Sequence, residues 1–592
     1  MSNTSSVLIT TLAAVQICLS AAIPLEASVY YVAQGGADAN AGIDSTAPWL
    51  HCPGMPGWSG EVRLAAGDTV YFRNSDTWEA TSGTAMVQVA GGVVYDGRSW
   101  GSGGRATLKA QTAFDRAIFN CMEDDETFPT VIRGFNVDAN GYVTSGITFN
   151  WPHAGRNLTG AVKKVEDCEV QNVWSESAHD QYEYGILMGG WGGYQIANFE
   201  ILNCLVHDIS RGGINNYMGN DMPENRSDNV TIRGNEIYAT GRDPNYAGSG
   251  LAVKNHTVNT LVEYNYIHDA VNGMGIGLSV HPEEGFIGPE NTIIRHNIVS
   301  NIPHCGMYLG SPGEKSFDIY GNIFMQCDYE AIRISAQMAG SNRIRIYNNT
   351  FFHNFPGEWS QQMRVESSSA HFEMLEVKNN IFYCPPGSST RALLDDIGSI
   401  TAHSNNLYFH PDGGTLVICN GSNYTQQTIE DWEPEAFTAE PGFKDTSMLP
   451  NGFSGVYGND MAPNPDGLSL QVHGDAVDNG ADLGEDFCGA INFSGGYNDN
   501  NRRPHGHGWD IGAYETLTET NARIIYGQKA LQVHKPKHHI SPDVLYTING
   551  RVYRKLSSGS KMSTGGKRKQ LHLSPTAQIL IKDDVGDRKS RR

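Results

Sequence analysis

The stretch IRGNEI, residues 232–237, decides the fold, because the same phrase recurs through the middle of the chain. In each copy, a run of β-forming residues leads into Asn or Cys, then one variable residue and a hydrophobic residue. The nine anchors lie 25 to 36 positions apart and are Cys168, Cys204, Asn235, Asn265, Asn297, Asn322, Asn349, Asn380 and Asn406. A repeat that keeps its phase while its length varies predicts stacked coils with variable loops on one side. The residues within each copy alternate as in strands, so the unit is predicted to be one coil of an all-β parallel solenoid.

The recurring Asn side chains have a physical role in such a solenoid. An amide at the same bend of every coil can donate a hydrogen bond to one neighbouring coil and accept one from the other. Cys168 and Cys204 open the column, and their small side chains fit the same bend as buried apolar groups. We therefore expect an asparagine ladder along one edge of the solenoid.

The distribution of charge separates the body of the chain from its tail. Residues 516–592 hold 16 Lys and Arg against 5 Asp and Glu, while the whole chain has a net charge of −22. Residues 1–515 therefore carry −33. A body this acidic is not expected to bind nucleic acid, and it would repel a polyanion unless a cation intervened.

The N-terminal residues predict export. The apolar run VLITTLAAVQICLSAAI, residues 7–23, is followed by LEA at 25–27, which is typical of a secretory signal cleaved after Ala27. The run is too short to span a membrane comfortably, and no other segment is apolar enough to do so. We expect a secreted or bacterial cell-surface protein. Its nine remaining cysteines are scattered without a CxxC pair, so neither a zinc ribbon nor an extended disulfide framework is expected.

Motifs at both ends of the body carry a resemblance to a known superfamily. The opening SVYYVAQGGADANAGIDSTAPW (28–49), the strand AAGDTVYF (65–72) and the closing HGHGWDIGAYE (505–515) flank the Asn coils. Together they resemble secreted right-handed parallel β-helix proteins of the pectate-lyase-like superfamily. The resemblance covers residues 28–515 and implies a right-handed parallel β-helix. It does not decide the activity, because lyases, hydrolases, epimerases and non-enzymatic surface proteins share this fold.

The domain organisation follows from these boundaries. We expect a signal peptide (1–27), a β-helix (28–430), an irregular end that caps it (431–515), a linker (516–540) and a basic C-terminal segment (541–592). In the last segment, DVLYTINGRVYRKL (543–556) predicts a hairpin that turns at Asn549 and Gly550. This segment resembles the C-terminal sorting domains of some Gram-negative bacteria, which implies the secretion machinery as a partner. The protein itself is expected to be a monomer.

Strand phase locates a candidate site. Seven strands are predicted to begin with an inward-pointing residue, and these residues are Ile147, Ile186, Ile214, Leu251, Ile276, Met307 and Ile332. The first, third and fifth residues after each would then point outward, in columns with a spacing of ~4.8 Å. The resulting face gathers Trp191, Asn215, Tyr217, Lys254, His256, His281, Tyr308 and Arg333. Aromatic and cationic side chains around a shallow groove suit a polysaccharide substrate.

The groove residues predict β-elimination on a uronate-containing polysaccharide. Lys254 or His256 would act as the base that removes the proton at C5, with His281 or Arg333 assisting. Trp191, Asn215, Tyr217, Tyr308 and Arg333 would bind the substrate. Lyases of the resembled superfamily combine such bases with Ca²⁺, which implies a possible calcium cofactor. The candidate ligands for that ion are the loop carboxylates Asp221, Glu224, Glu283 and Glu284.

Two other functions stay open at this level. A glycoside hydrolase acting on cell-wall glycans would need two facing carboxylates, for which Asp243 and the Glu283–Glu284 loop are candidates. A non-catalytic glycan-binding surface protein would need no such pair. His207–Asp208 and His268–Asp269 occupy matching points of their coils, which predicts a structural turn with Asp bonded to backbone amides.

Overall fold

The computed structural model describes residues 27–516 and four strands near the C-terminus. The exceptions within 27–516 are 82, 84, 113–116, 151–155, 175–182, 191–193, 220–223, 244–247, 280–287, 311–314, 337–341, 358–359, 367–371, 457–460 and 494–501. The predicted signal peptide lies outside the described residues except for Ala27. The described residues include no helix with the length and apolarity that a membrane crossing requires.

Three long sheets form the body of the molecule, and the chain visits them in turn. The strands of sheet 1 are Val29–Val32, Thr69–Arg73, Val94–Trp100, Thr130–Arg133, Lys163–Glu166, Gln195–Leu202, Arg226–Arg233, Thr257–Glu263, Glu290–Arg295, Lys315–Tyr320, Asn342–Tyr347, Phe372–Lys378 and Ala402–Ser404. Those of sheet 2 are Thr77–Ala80, Ala106–Ala110, Phe135–Asp138, Glu169–Val173, Leu205–Ile209, Glu236–Tyr238, Tyr266–His268, Ile298–Ser300, Ile323–Met325, Thr350–Phe352, Ile381–Tyr383 and Leu407–Phe409. Those of sheet 3 are Ala85–Val89, Ala117–Cys121, Ser145–Phe149, Tyr184–Gly190, Gly212–Met218, Gly248–Lys254, Gly273–Ser279, Met307–Gly310, Ile332–Ile334, Gln361–Val365, Arg391–Asp395, Thr415–Cys419 and Ser422–Thr425.

The fold is a right-handed parallel β-helix, as the sequence predicts. Each coil adds one strand to each of the three sheets. Each strand pairs in parallel with the strand one coil earlier and one coil later in the same sheet, except that Ser422–Thr425 closes sheet 3 antiparallel. Single-turn 3₁₀ helices at Ile429–Asp431, Glu485–Phe487 and Ile491–Phe493 and a short antiparallel pair, Phe453–Ser454 with Ala462–Pro463, belong to the irregular part that follows.

The predicted phase of the sheet 3 strands is confirmed by their pairing. Ile147 pairs with Ile186, Ile186 with Ile214, and the column continues through Leu251, Ile276, Met307 and Ile332. All seven side chains of this column are completely buried. Burying an aliphatic side chain of this size contributes about 1.5–3 kcal/mol, so such columns form the continuous core of the helix.

The asparagine ladder forms at the bend between sheet 1 and sheet 2. The side-chain Nδ2 of Asn235 donates to Oδ1 of Asn265 at 2.9 Å, and the same bond repeats from each Asn to the next as far as Asn406. Each Oδ1 also accepts from the backbone N–H of the preceding anchor, which begins with Cys204. Cys168 and Cys204 are buried at the start of the column, as predicted.

Glu433 ends the ladder, which the sequence pattern did not show. Its carboxylate accepts hydrogen bonds from the backbone N–H of Asn406 at 2.8 Å and from the Tyr408 hydroxyl at 2.8 Å. The Asn406 Nδ2 donates to the same carboxylate. The side chain is completely buried, so it substitutes for the amide that a further coil would have supplied.

The closing motif packs along the outside of the ladder bends. The Nδ2 of Asn348 donates to the backbone oxygen of Asp510 at 3.0 Å, and the N–H of Ala513 donates to the Thr350 hydroxyl at 3.1 Å. Gly512 between them has a φ of +95°, which a side chain would strain. The segment therefore covers backbone that the coils leave exposed.

The C-terminal residues Leu517–Arg592 form a separate unit. Its described strands are Leu545–Ile548, Arg551–Lys555, Lys569–Leu573 and Ala577–Ile581, which make a four-stranded antiparallel sheet. The first two pair across residues 549–550, so the predicted hairpin is confirmed.

Candidate functional site

The outer face of sheet 3 carries the predicted columns of side chains. Backbone pairing aligns Thr148, Leu187, Asn215, Ala252, Gly277, Tyr308 and Arg333 in one outward column. In the second outward column, Gly189 pairs with Tyr217 of the next coil. Further along, Lys254 pairs with Ser279, and Ser279 pairs with Gly310. The side chains of Thr148, Leu187 and Asn215 are completely buried, so this part of the face is covered. Tyr308 and Arg333, in the later coils, are half-buried.

Lys254 is the cation with the most perturbed chemistry on this face. It ends the strand Gly248–Lys254 and is half-buried. Burial of its ammonium group, reinforced by the positive charge of Arg211, lowers the pKa of Lys254 to about 8. A lysine in this condition is neutral in a large fraction of molecules at mildly alkaline pH and can accept a proton.

Arg211 is a functional candidate that the phase analysis missed. It lies in the turn that enters the strand Gly212–Met218 and is half-buried. Two consecutive glycines, Gly212 and Gly213, separate it from Ile214, so strand alternation gives no reliable direction for its side chain. Its positive charge contributes to the lowered pKa of Lys254, so it lies within electrostatic range of the candidate base.

Asn215 and Tyr217 lie one coil before Lys254 in the two outward columns. The Asn215 side chain is completely buried, and among the described residues neither its Oδ1 nor its Nδ2 has a hydrogen-bond partner. A buried amide without partners costs about 1–3 kcal/mol. Tyr217 packs with Tyr184 and Leu187 and is 8% exposed.

His256 does not follow the predicted alternation. The strand ends at Lys254, and the chain turns through Asn255 and His256 before the strand Thr257–Glu263 begins. His256 has a φ of +55° and is 3% exposed, and its carbonyl accepts from the N–H of Ser227. The prediction that His256 points outward from sheet 3 is therefore wrong. The sheet 3 strand ends at Lys254, two residues before His256, because the chain must turn to begin its sheet 1 strand at Thr257.

The predicted substrate-binding residues of later coils have their own partners. Arg333 Nε donates to Glu366 Oε1 at 2.8 Å, and this ion pair raises the pKa of Arg333. A hydrogen bond from the Ala336 N–H, together with Arg333, lowers the pKa of Glu366. One coil on, Arg364 lies 3.4 Å from Asp396 in the same arrangement. Tyr308 is half-buried in the first column.

The remaining predicted site residues fall into two groups. Trp191, Asp221, His281, Glu283 and Glu284 lie outside the described residues. Glu224 is exposed, whereas Asp243 is 3% exposed and its N–H donates to the Ser210 carbonyl at 2.8 Å. In the part of the chain that is described, no three Asp, Glu, His or Cys side chains lie close enough to hold a metal ion.

The two His–Asp pairs are structural, with partners that differ from those expected. His207 Nδ1 lies 2.8 Å from Asp208, and His268 Nδ1 lies 2.7 Å from Asp269. Both aspartates have left-handed φ. Asp269 directly follows its strand, whereas Asp208 lies within the strand Leu205–Ile209. The carboxylates bond to imidazole rings rather than to the backbone amides that were expected. Asp208 also forms an ion pair with Arg242.

Comparison with known proteins finds similarity at the level of solved structures. No family model matches the chain, and no curated protein matches it. The A-module of the Azotobacter vinelandii mannuronan C-5 epimerase AlgE4 is 12% identical with a TM-score of 0.43, covering 63% of this chain and 91% of that one. The pectate lyase Pel9A is 14% identical with a TM-score of 0.43, covering 82% and 96%. A rhamnogalacturonan lyase is 12% identical with a TM-score of 0.34, covering 60% and 87%. At such identities, similarity does not indicate which residues act.

Proposed function

We propose that this protein is a polysaccharide lyase that cleaves a uronate-containing chain by β-elimination, with Lys254 as the base. The observation that carries the proposal is the pKa of Lys254, which is lowered to about 8 on the outer face of sheet 3 by burial and by Arg211. A general base works best when its pKa lies near the operating pH. An ordinary surface lysine, with a pKa near ~10.4, would be protonated under the same conditions.

The reaction follows from the chemistry of a uronate ring. The neutral Nζ of Lys254 takes the proton at C5, and the electron pair left behind forms the C4=C5 double bond as the C4–O glycosidic bond breaks. The proton on Lys254 is later lost to solvent, and the departing oxygen is protonated by water. Negative charge develops at the carboxylate beside C5, where a nearby cation stabilises it. We assign this role to Arg211.

We also propose a calcium ion as a cofactor, bound by loop carboxylates. The predicted ligands are Asp221, Glu224, Glu283 and Glu284, of which only Glu224 is described. When bound, calcium would supply further neutralisation of the substrate carboxylate.

Hydrolysis receives less support from the described residues. Asp243 is buried in a turn, so it does not present a carboxylate to the groove. Glu366 and Asp396 are neighbours on the outer face of sheet 3, but each is paired with an arginine. The lowered pKa of Glu366 disfavours the protonated form that a general acid requires.

The proposal also places the protein outside the cell. The signal-like residues 1–27 and the basic C-terminal segment support secretion or attachment to the cell surface, where polysaccharide substrates are found. Expression with and without residues 541–592, followed by detection in medium, membrane and cell fractions, would test the sorting role. Retention of the truncated form inside the cell is the expected result.

A panel assay tests the activity itself. The full chain would be incubated with pectate, alginate, xylan and xyloglucan, with calcium and then with a chelator. Ultraviolet absorbance of the new double bond and reducing ends would be measured together. Absorbance on a uronate polymer is expected, and its loss with the chelator would establish the calcium requirement. Reducing ends without absorbance would indicate hydrolysis, and binding without either signal would indicate a surface protein.

The pH dependence of the elimination should report the titration of Lys254. Because only the neutral amine accepts the C5 proton, kcat/KM should rise about tenfold per pH unit below the pKa and level off above about 8. Measurement of kcat/KM between pH 6 and 10 on one uronate polymer checks this expectation. A flat profile would remove Lys254 from the role of base.

A variant of Arg211 should shift this profile in a defined direction. Removing a positive charge near an amine favours its protonated form, so Arg211→Gln should raise the pKa of Lys254 and move the inflection to higher pH. Arg242→Gln is the matched control, since Arg242 pairs with Asp208 in a surface turn. An unchanged inflection in the Arg211 variant would contradict the assigned geometry.

A further inference from the structure

A cavity lies along sheet 2, on a different face of the β-helix from Lys254. Its volume is about 610 Å³, which is within the range of small-molecule sites. Its wall includes Tyr266, Asn301, Gln326 and His353, and residues of the loop Leu449–Asn451 face them. The irregular part of the chain therefore closes one side of a groove that the coils alone would leave open.

One wall of this cavity is a ladder of polar turn residues. Asp269, Asn301, Gln326 and His353 each follow a sheet 2 strand in successive coils, and all four have φ between +48° and +54°. Their side chains leave the turns at the spacing of the coils, ~4.8 Å. Asp269, Asn301 and Gln326 are exposed, and Asn301 Nδ2 donates to Asp269. The Asn301 Oδ1 and the Gln326 amide are therefore available to a ligand that runs along the helix axis.

Stacked aromatic rings follow the same direction beside the cavity. Tyr329 stacks on His304, with ring centroids 4.7 Å apart, and contacts Phe355 at 5.3 Å. Tyr329 and Phe355 are sequence neighbours of the lining residues Asp328 and Pro356. The Tyr329 side chain is 41% exposed, so part of its ring is accessible to a ligand. Exposed aromatic faces beside polar ladders suit the alternating apolar faces and hydroxyl edges of sugar rings.

The charge of the cavity distinguishes its ligand from that of the Lys254 groove. Among the described residues that line it, two are carboxylates, Asp269 and Asp328, and none is Lys or Arg. Hydrogen bonds from Asn301 and His268 lower the pKa of Asp269, so this residue stays negative. A polyuronate would therefore be repelled at this face, whereas hydroxyl groups can donate to both carboxylates.

We propose that this cavity is a binding site for a neutral oligosaccharide, separate from the groove that would act on uronate. Such a site would hold the protein on a neutral glycan that accompanies the acidic chain. The amides of Asn301 and Gln326 bind hydroxyl groups, and Tyr329 stacks on a sugar face. The proposal does not depend on catalysis, because binding here is measured without turnover.

The test uses the full chain carrying Lys254→Ala, so that turnover cannot interfere with binding. Cellohexaose, xylohexaose and β-1,4-linked galactohexaose would be titrated calorimetrically, with hexagalacturonate as the acidic counterpart. At least one neutral hexasaccharide should bind, and Tyr329→Ala and Gln326→Ala should each weaken its affinity by about tenfold. Hexagalacturonate affinity should be unaffected by these two changes.

Tyr142→Ala provides the matched control, because this tyrosine is 42% exposed and lies in another turn. Unchanged affinity in this control is expected. The proposal is overturned if no neutral hexasaccharide binds, or if Tyr329→Ala and Gln326→Ala leave the affinity unchanged. It is also overturned if a divalent cation alone, added at millimolar concentration, binds in a manner that Asp269→Asn abolishes while sugars do not bind. Loss of elimination activity with neutral-glycan binding retained would refute only the lyase proposal.

Discussion

Replacing Lys254 with alanine should abolish nearly all elimination activity while leaving the β-helix folded. A positioned general base contributes typically 10²–10⁴-fold to a rate, so a decrease of kcat by about a thousandfold is expected. The fold should survive, because Lys254 ends its strand on the outer face and is half-buried. Initial rates of double-bond formation on the preferred uronate polymer provide the measurement.

The control for this variant is a lysine of similar exposure on another sheet. Lys164 lies on sheet 1 and pairs with Glu200 at 2.8 Å, away from the outer face of sheet 3. Lys164→Ala should retain activity within about twofold, since surface ion pairs contribute ~0–1 kcal/mol to stability. Lys254→Arg should fail like the alanine variant, because a guanidinium stays protonated at every accessible pH. Full activity in Lys254→Ala would exclude the proposed mechanism and leave the fold untouched.

A small primary amine offers a sharper test of the same role. The alanine variant leaves space where the ammonium was buried, and an added amine can enter it and accept the C5 proton. Partial recovery of the Lys254→Ala rate, increasing with the concentration of the neutral amine, is expected. Recovery would not occur if Lys254 only held the sheet in place, so this measurement separates a base from a structural residue.

The inward column could be predicted from the sequence and the position of His256 could not, for one physical reason. The inward column from Ile147 to Ile332 follows from local alternation, and alternation is a property of each strand by itself. The position of His256 depended instead on where sheet 1 resumes, which is set by pairing of Thr257 with Ser227 in the previous coil. That pairing joins residues 30 positions apart and leaves no local signal.

The ion pair that engages Arg333 shows the same limit. Glu366 is one coil later in the chain, and its position beside Arg333 depends on the register between two strands with a variable loop between them. The column that includes Arg333 was predictable, whereas its partner was not. Glu433 could not be predicted either. It ends the ladder only once, so no repeated sequence pattern marks its position.

Asn322→Ala should destabilise the β-helix more than any exposed substitution, because it interrupts the ladder in the middle. In the protein, Oδ1 of Asn322 accepts from the N–H and the Nδ2 of Asn297, both at 2.9 Å. Its Nδ2 donates to the Ile294 carbonyl at 2.9 Å and to Asn349 at 3.0 Å. Alanine would leave these buried groups unsatisfied at about 1–3 kcal/mol each, so a loss of about 3–6 kcal/mol is expected after partial relaxation.

Urea unfolding followed by circular dichroism provides the measurement, with Asn423→Ala as the matched control. Asn423 is exposed in the last strand of sheet 3, so its replacement should change stability by less than about 0.5 kcal/mol. Because each coil contacts only its neighbours, a break at Asn322 should also separate the unfolding of the two halves and lower the apparent cooperativity. An equal, small effect of both variants would mean that the apolar columns alone hold the coils in register. A large effect confined to Asn322 would show that the amide ladder, from which the fold was inferred, also stabilises it.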